Sequence, residues 1–195
     1  MISKNIKSLI RKEVKTWSES YLEIPNIHLN KMPACPYAKK AWQDKKVDIK
    51  IRDPGKGYIS NLHEHVKALD FNKKEILVFC DTSFQEYSLN KFQSIIDKFN
   101  DKYNQDDVYF MGFHPRNPPN EDDQEFLLNP TGDTSEMPTS KIDFSMMLIQ
   151  KFSKLHKESA KLKRMGYYDK WPKGYYNEVV ESRQKQYKKL FKEGG

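Results

Sequence analysis

The sequence predicts an α/β or α+β protein: a single sheet of about four strands with helices packed on it, plus N- and C-terminal helices. Three observations predict it. EILVFCD (Glu75 to Asp81) and VYFMGFH (Val108 to His114) are continuous apolar runs, the pattern of buried strands. VDIKI (Val47 to Ile51) alternates apolar and polar residues, as a strand does. Between the two apolar runs, Leu89, Phe92, Ile95, Ile96 and Phe99 recur at helical spacing.

The remaining elements follow in chain order. Ile2, Ile6, Leu9, Ile10, Val14 and Trp17 form one apolar stripe with a Lys-rich outer face, so the chain opens on an amphipathic helix that ends before Pro25. In CPYAKKAWQ, Pro36 follows Cys35 directly, which suits Cys35 as N-cap and Pro36 as the first residue of a short helix reaching about Gln43. Asp53-Pro54-Gly55-Lys56-Gly57 is turn chemistry. Ser60 is expected to cap a helix running to about Leu69, with Leu62, Val66 and Leu69 inward. Pro115 to about Ser140 is a long loop rich in Pro, Asn, Asp and Gly. Phe144 to Gln150 reads as a strand and Lys151 to Met165 as a basic helix. A last helix spans about Tyr176 to Phe191. Residues 1–165 make the α/β domain, and 166–195 a C-terminal helical extension.

Composition narrows the functional classes. Aromatic residues are 13% of the 195, so the core draws heavily on Phe, Tyr and Trp. The net charge of +7 permits attraction to anions, nucleic acid included, but its Lys residues are scattered as on a solvated surface. Cys35 and Cys80 form no CxxC pair, which leaves a zinc ribbon or dithiol motif unsupported. Such cysteines fit a reducing cytoplasm. The first residues lack the apolar core of a signal peptide, and no run approaches the ~18 apolar residues of a membrane helix. A cytoplasmic protein without a membrane segment is the expectation.

Several side chains have the chemistry for a site. Cys35 at a helix N-terminus meets free amides and positive dipole, with Lys39 and Lys40 one turn on, a field that favours a thiolate. The competing reading is a small buried hydrophobe. His114 closes an apolar strand just before the long loop, where α/β sheets collect ligands, and Arg116 beside it offers an anion contact. Its alternative is a histidine that caps the strand end. Asp81 ends the other apolar strand; if the two strands are adjacent and parallel, Asp81 and His114 leave the sheet at one edge, while Cys80 points to the opposite face. His63 and His65 do not share a helix face, so HEH is no metal pair. The acids of NEDDQEF (Asn120 to Phe126) lack an EF-hand's alternation. In KRMGYYDKWPKGYY (Lys163 to Tyr176), interleaved bases and rings fit either nucleic-acid stacking or packing of the last helix, and packing is preferred.

The order CPYA (Cys35 to Ala38), FHP (Phe113 to Pro115), then SMMLIQKF (Ser145 to Phe152) resembles a bacterial family, domain of unknown function family 1415. That family carries CPFA, FHP and an apolar PMLHLLRE-like segment in the same order, and Trp17 is similar to a Trp of its first helix. The resemblance spans roughly Trp17 to Ser159. CPYA stands in place of CPFA, the stretch from Trp17 to Cys35 is longer, and the Pro and Arg of the last motif are missing. The resemblance implies that Cys35 and His114 share one site; it brings no activity. CPYA also resembles the first helix of glutaredoxins, but Ala38 replaces the resolving cysteine.

Two functions emerge. The first is an enzyme with a Cys35–His114 site acting on a small anionic substrate, with Arg116 and Lys39 as substrate contacts. In it the thiol is a nucleophile, or Cys35, His114 and Asp81 hold a metal of unspecified identity. The second is a non-catalytic module that binds nucleic acid or a protein through its basic, aromatic-rich surface. No cofactor is indicated. Whether Cys35 and His114 approach each other discriminates the two.

Overall fold

The computed structural model describes residues 2–115 and 141–191. The protein is an α+β fold: one open, mixed four-stranded sheet with six helices around it. Strands β1 (Val47–Ile51), β2 (Ile76–Asp81), β3 (Val108–Phe113) and β4 (Ser145–Lys151) stand in the order β1-β2-β4-β3. β1 and β2 pair in parallel, while β4 runs antiparallel to both β2 and β3. The carboxyl ends of β1, β2 and β3 therefore share one edge with the start of β4. β3 is an edge strand, and its last residues, Gly112 and Phe113, are exposed, so the burial of VYFMGFH is interrupted before His114, which is buried again.

The helices sort by face. α3 (Tyr58–Lys67) and α4 (Leu89–Tyr103) cover one face. There Leu62, Phe92, Ile96 and Phe99 meet Leu77, Phe79, Phe110 and Ile149 in the largest core cluster. α4 starts where Ser88 accepts a hydrogen bond from the Lys91 amide, the capping expected of Ser before an apolar stripe. α3 starts differently from the expectation. Its N-cap is Gly57, and Ser60 lies inside the first turn with its hydroxyl donating to the Gly57 carbonyl.

α1 (Lys4–Trp17) lies on the opposite face, where Ile10 and Val14 meet Val78 and Cys80. It runs on through a π turn, Ser18–Leu22. The chain then doubles back: Pro25 bridges Pro33, and the Cys35 amide donates to the Leu22 carbonyl at 2.9 Å. α2 (Ala38–Gln43) begins after Tyr37, not at Pro36, so Cys35 sits three residues ahead of the helix instead of capping it. Proline and cysteine instead form the turn that Ala38 closes by donating to the Cys35 carbonyl.

α5 (Phe152–Arg164) leaves β4 directly. The last helix, α6, is built from Lys173–Tyr176, a π segment Asn177–Glu181, and Ser182–Leu190. Between α5 and α6, Tyr167 and Trp171 pack with Leu29 and Leu162 in a third cluster, so these tail rings are committed to packing. Among the described residues, no helix is long and apolar enough to cross a membrane.

Candidate functional site

The sheet separates the residues the sequence singled out. Side chains alternate along a strand, and Phe110 and Gly112 face α4, so His114 faces the same way. Its ring lies 5.5 Å from Phe84, 5.2 Å from Phe92 and 6.1 Å from Tyr87. Cys35 lies on the other side, lining a cavity together with Val78, Met111 and Leu148. The Cys35–His114 pair is thus not formed. A metal held by Cys35, His114 and Asp81 is not assembled either, and no group of three metal-ligating side chains occurs among the described residues. Lys39 is exposed and outside the surroundings of Cys35. Arg116 and NEDDQEF lie outside the described residues.

Asp81 and His114 do share an edge, but β4 stands between their strands. The register places four polar residues in one row there: Arg52 follows Ile51, the partner of Cys80; Asp81 pairs with Ser145; and His114 follows Phe113, the partner of Met146. Asp81 is fully occupied within this row. It takes Arg52 Nη1 at 3.2 Å, the Tyr87 hydroxyl at 2.6 Å and the Ser83 amide at 2.9 Å. The Tyr87 hydroxyl also meets Ser145 Oγ at 3.0 Å, and Arg52 reaches Glu86 at 3.1 Å. Burial, followed by the bond to Asp81, pushes the Tyr87 hydroxyl far above its usual range. A carboxylate held by three donors is committed to keeping an arginine in place. The sequence reading missed Arg52, whose signal was a charge one residue past a strand and beside turn residues.

On the Cys35 side the elements leave a cavity of about 270 Å³. Val78 and Leu148 form its floor, Val14 and Trp17 of α1 one wall, and Ala38, Ala41 and Trp42 of α2 a second. Leu155 and Leu162 of α5, with Tyr167, Trp171 and Val180, complete it. All three tryptophans of the chain stand around this space.

The walls are fixed by hydrogen bonds. Trp42 Nε1 donates to Ser18 Oγ at 2.8 Å, and Ser18 donates to Glu23 at 2.9 Å. The Tyr167 hydroxyl donates to the Ala34 carbonyl at 2.6 Å, tying the tail to the residue before Cys35. Lys154 pairs with Glu75 at the rim.

Desolvation by burial raises the Cys35 thiol above its ordinary value and outweighs the nearby Tyr37 and Ala38 amides, which act in the other direction. The cavity holds Cys35 as a neutral thiol. Cys80, fully buried under α1, is pushed up to about 12 by burial.

The polar side chains of the cavity that lay outside the sequence reading include Glu158, Ser159 and Arg183. Arg183 donates to Ser159 Oγ at 2.8 Å. Glu158 has Lys161 4.0 Å away. Compared with protein-family models, curated proteins and solved structures, the chain matches none.

Proposed function

We propose that this protein binds a small, mainly apolar molecule in the cavity beside Cys35. The observation that carries the reading is the cavity itself. Protein interiors are packed with few voids larger than a water molecule, so about 270 Å³ bounded by aliphatic and aromatic side chains is no packing defect. Ligand pockets have this makeup: apolar walls with a few polar groups at fixed places. The volume is close to the lower end of such pockets, roughly 300 Å³, and suits a one-ring or short-chain molecule.

Thiol catalysis through a Cys35–His114 pair loses support, because the sheet lies between the two and the thiol is held protonated. Base stacking on the tail aromatics loses support as well, since Tyr167 is 4% exposed and Trp171 packs against it.

The test uses the tryptophans as reporters. 4-Nitrotoluene, a neutral one-ring apolar molecule whose nitro group quenches tryptophan emission, should quench the protein fluorescence along a saturable, single-site curve. Ala41→Phe, which fills the cavity from α2, should abolish the saturable phase while the fold is retained by circular dichroism. A linear response in the wild type, or an unchanged curve in Ala41→Phe, would remove the reading.

A further inference from the structure

Among the described residues, the two buried arginines are treated differently. Arg52 and Arg183 are each 7% exposed. Arg52 faces two carboxylates, Asp81 at 3.2 Å and Glu86 at 3.1 Å. Arg183 has no carboxylate within 4.0 Å among the described residues; its bond to Ser159 Oγ is to a neutral hydroxyl. Its Nε is enclosed and has no acceptor there. A guanidinium keeps its charge at any physiological pH, so it cannot escape burial by losing a proton. Burying a cation without a counter-charge is costly. Arg183 lines the cavity, and that is where a counter-charge has room.

We infer that Arg183 receives the carboxylate of the cavity's ligand, which makes that ligand a small carboxylic acid with an aromatic or short aliphatic body. The inference rests on the ligand-binding reading above and adds the class of ligand. Nε and a terminal nitrogen form the fork that matches the two oxygens of a carboxylate.

The charge balance favours a monoanion. Lys154 is already paired with Glu75, and Glu158 adds a negative group to the same wall, so Arg183 is the one cavity cation without an acidic partner among the described residues. A dianionic phosphate would leave charge uncompensated. At about 30 Å³ for each water-sized group, 270 Å³ holds about nine such groups, which fits a phenyl ring with a short acid arm.

The experiment compares acids with their shape-matched amides: phenylacetate with phenylacetamide, 3-phenylpropionate with 3-phenylpropanamide, and octanoate with octanamide. Each is titrated as a competitor of the 4-nitrotoluene quencher. The inference expects the acid of every pair that enters to bind at least about tenfold more tightly, the size of a charge-assisted bond. Arg183→Met should bring each acid down to its amide and leave the amide unchanged. Without ligand, Arg183→Met should melt at or above the wild type, since an uncompensated buried charge has been removed. Arg183→Lys should keep part of the preference for acids. Equal binding of acid and amide in the wild type would overturn the inference while leaving the cavity reading intact. Competition by neither acid nor amide would overturn the inference, whereas the cavity reading falls only if the saturable quenching itself is absent or survives unchanged in Ala41→Phe. A large loss of melting temperature in Arg183→Met, with acid preference absent in Arg183→Lys, would assign Arg183 to the fold instead.

Discussion

A cysteine's reactivity is decided by which of two opposed effects is larger at its sulfur. At Cys35 the amides of Tyr37 and Ala38 favour the thiolate, and burial in an apolar wall disfavours it more. The amide half was legible from the sequence, because proline after cysteine forecasts a chain about to turn into a helix. The burial half was not, since the cavity that Cys35 lines is closed by residues as far away along the chain as Val78, Leu148 and Leu155. Iodoacetamide labelling of the native protein in a Cys80→Ser background tests the balance. Labelling should be slow at neutral pH and its midpoint should lie above that of a free thiol. His114→Ala should leave the midpoint where it is, because His114 is across the sheet. A midpoint below the free-thiol value that rises in His114→Ala would restore the Cys–His site. Arg183 shows the opposite limit of legibility: within ESRQKQYKKL it has the same look as its solvated Lys neighbours, and burial alone sets it apart.

At the level of elements, local pattern and structure agree closely. β1 covers the five residues of VDIKI, and β4 starts one residue inside the expected Phe144 to Gln150 and ends one past it. Alternation and apolar runs are read within a strand, so they survive any arrangement of neighbours. The order β1-β2-β4-β3 was not readable, because strand pairing joins segments whose separation along the chain leaves no mark on either. Contact between α4 and β3 depends on a glycine. A Cβ added at Gly112 would lie 2.1 Å from Ile96 Cδ1 and 2.6 Å from Phe92 Cε1, so the helix sits where any side chain would stand. Gly112→Ala should cost about 1–3 kcal/mol in urea unfolding, the range for overpacking a core. Adding Ile96→Val, which clears the nearest atom, should return part of it. A neutral Gly112→Ala would mean that α4 can shift freely on the sheet.

Across the whole molecule, stability should depend on pH through α3. His63 and His65 both have pKa values lowered below 6.5, chiefly by burial, with Lys102 and Lys67 acting on His63 and Lys50 on His65. The unfolded chain then binds protons that the folded chain refuses. Their contribution is complete above about pH 6.5 and is lost as the pH falls toward the folded-state values. Melting temperature should fall between pH 7.5 and 5.5, and His63→Gln with His65→Gln should flatten that slope. An equal slope in the double variant would assign the dependence to other groups. His63 also meets the Tyr103 hydroxyl at 2.5 Å, so the double variant will start from a lower baseline and only the slope is diagnostic.

The cavity also sets an order of events. Its wall begins at Val14 and closes at Arg183, and the ring Tyr167 is tied back to Ala34 across most of the chain. No shorter stretch encloses the space. During synthesis, at roughly 5–20 residues per second, the sheet can form while the future chamber still lies open to water for the seconds that precede α6. A ligand present then meets a groove without its cation, and capture waits for the last helix to dock.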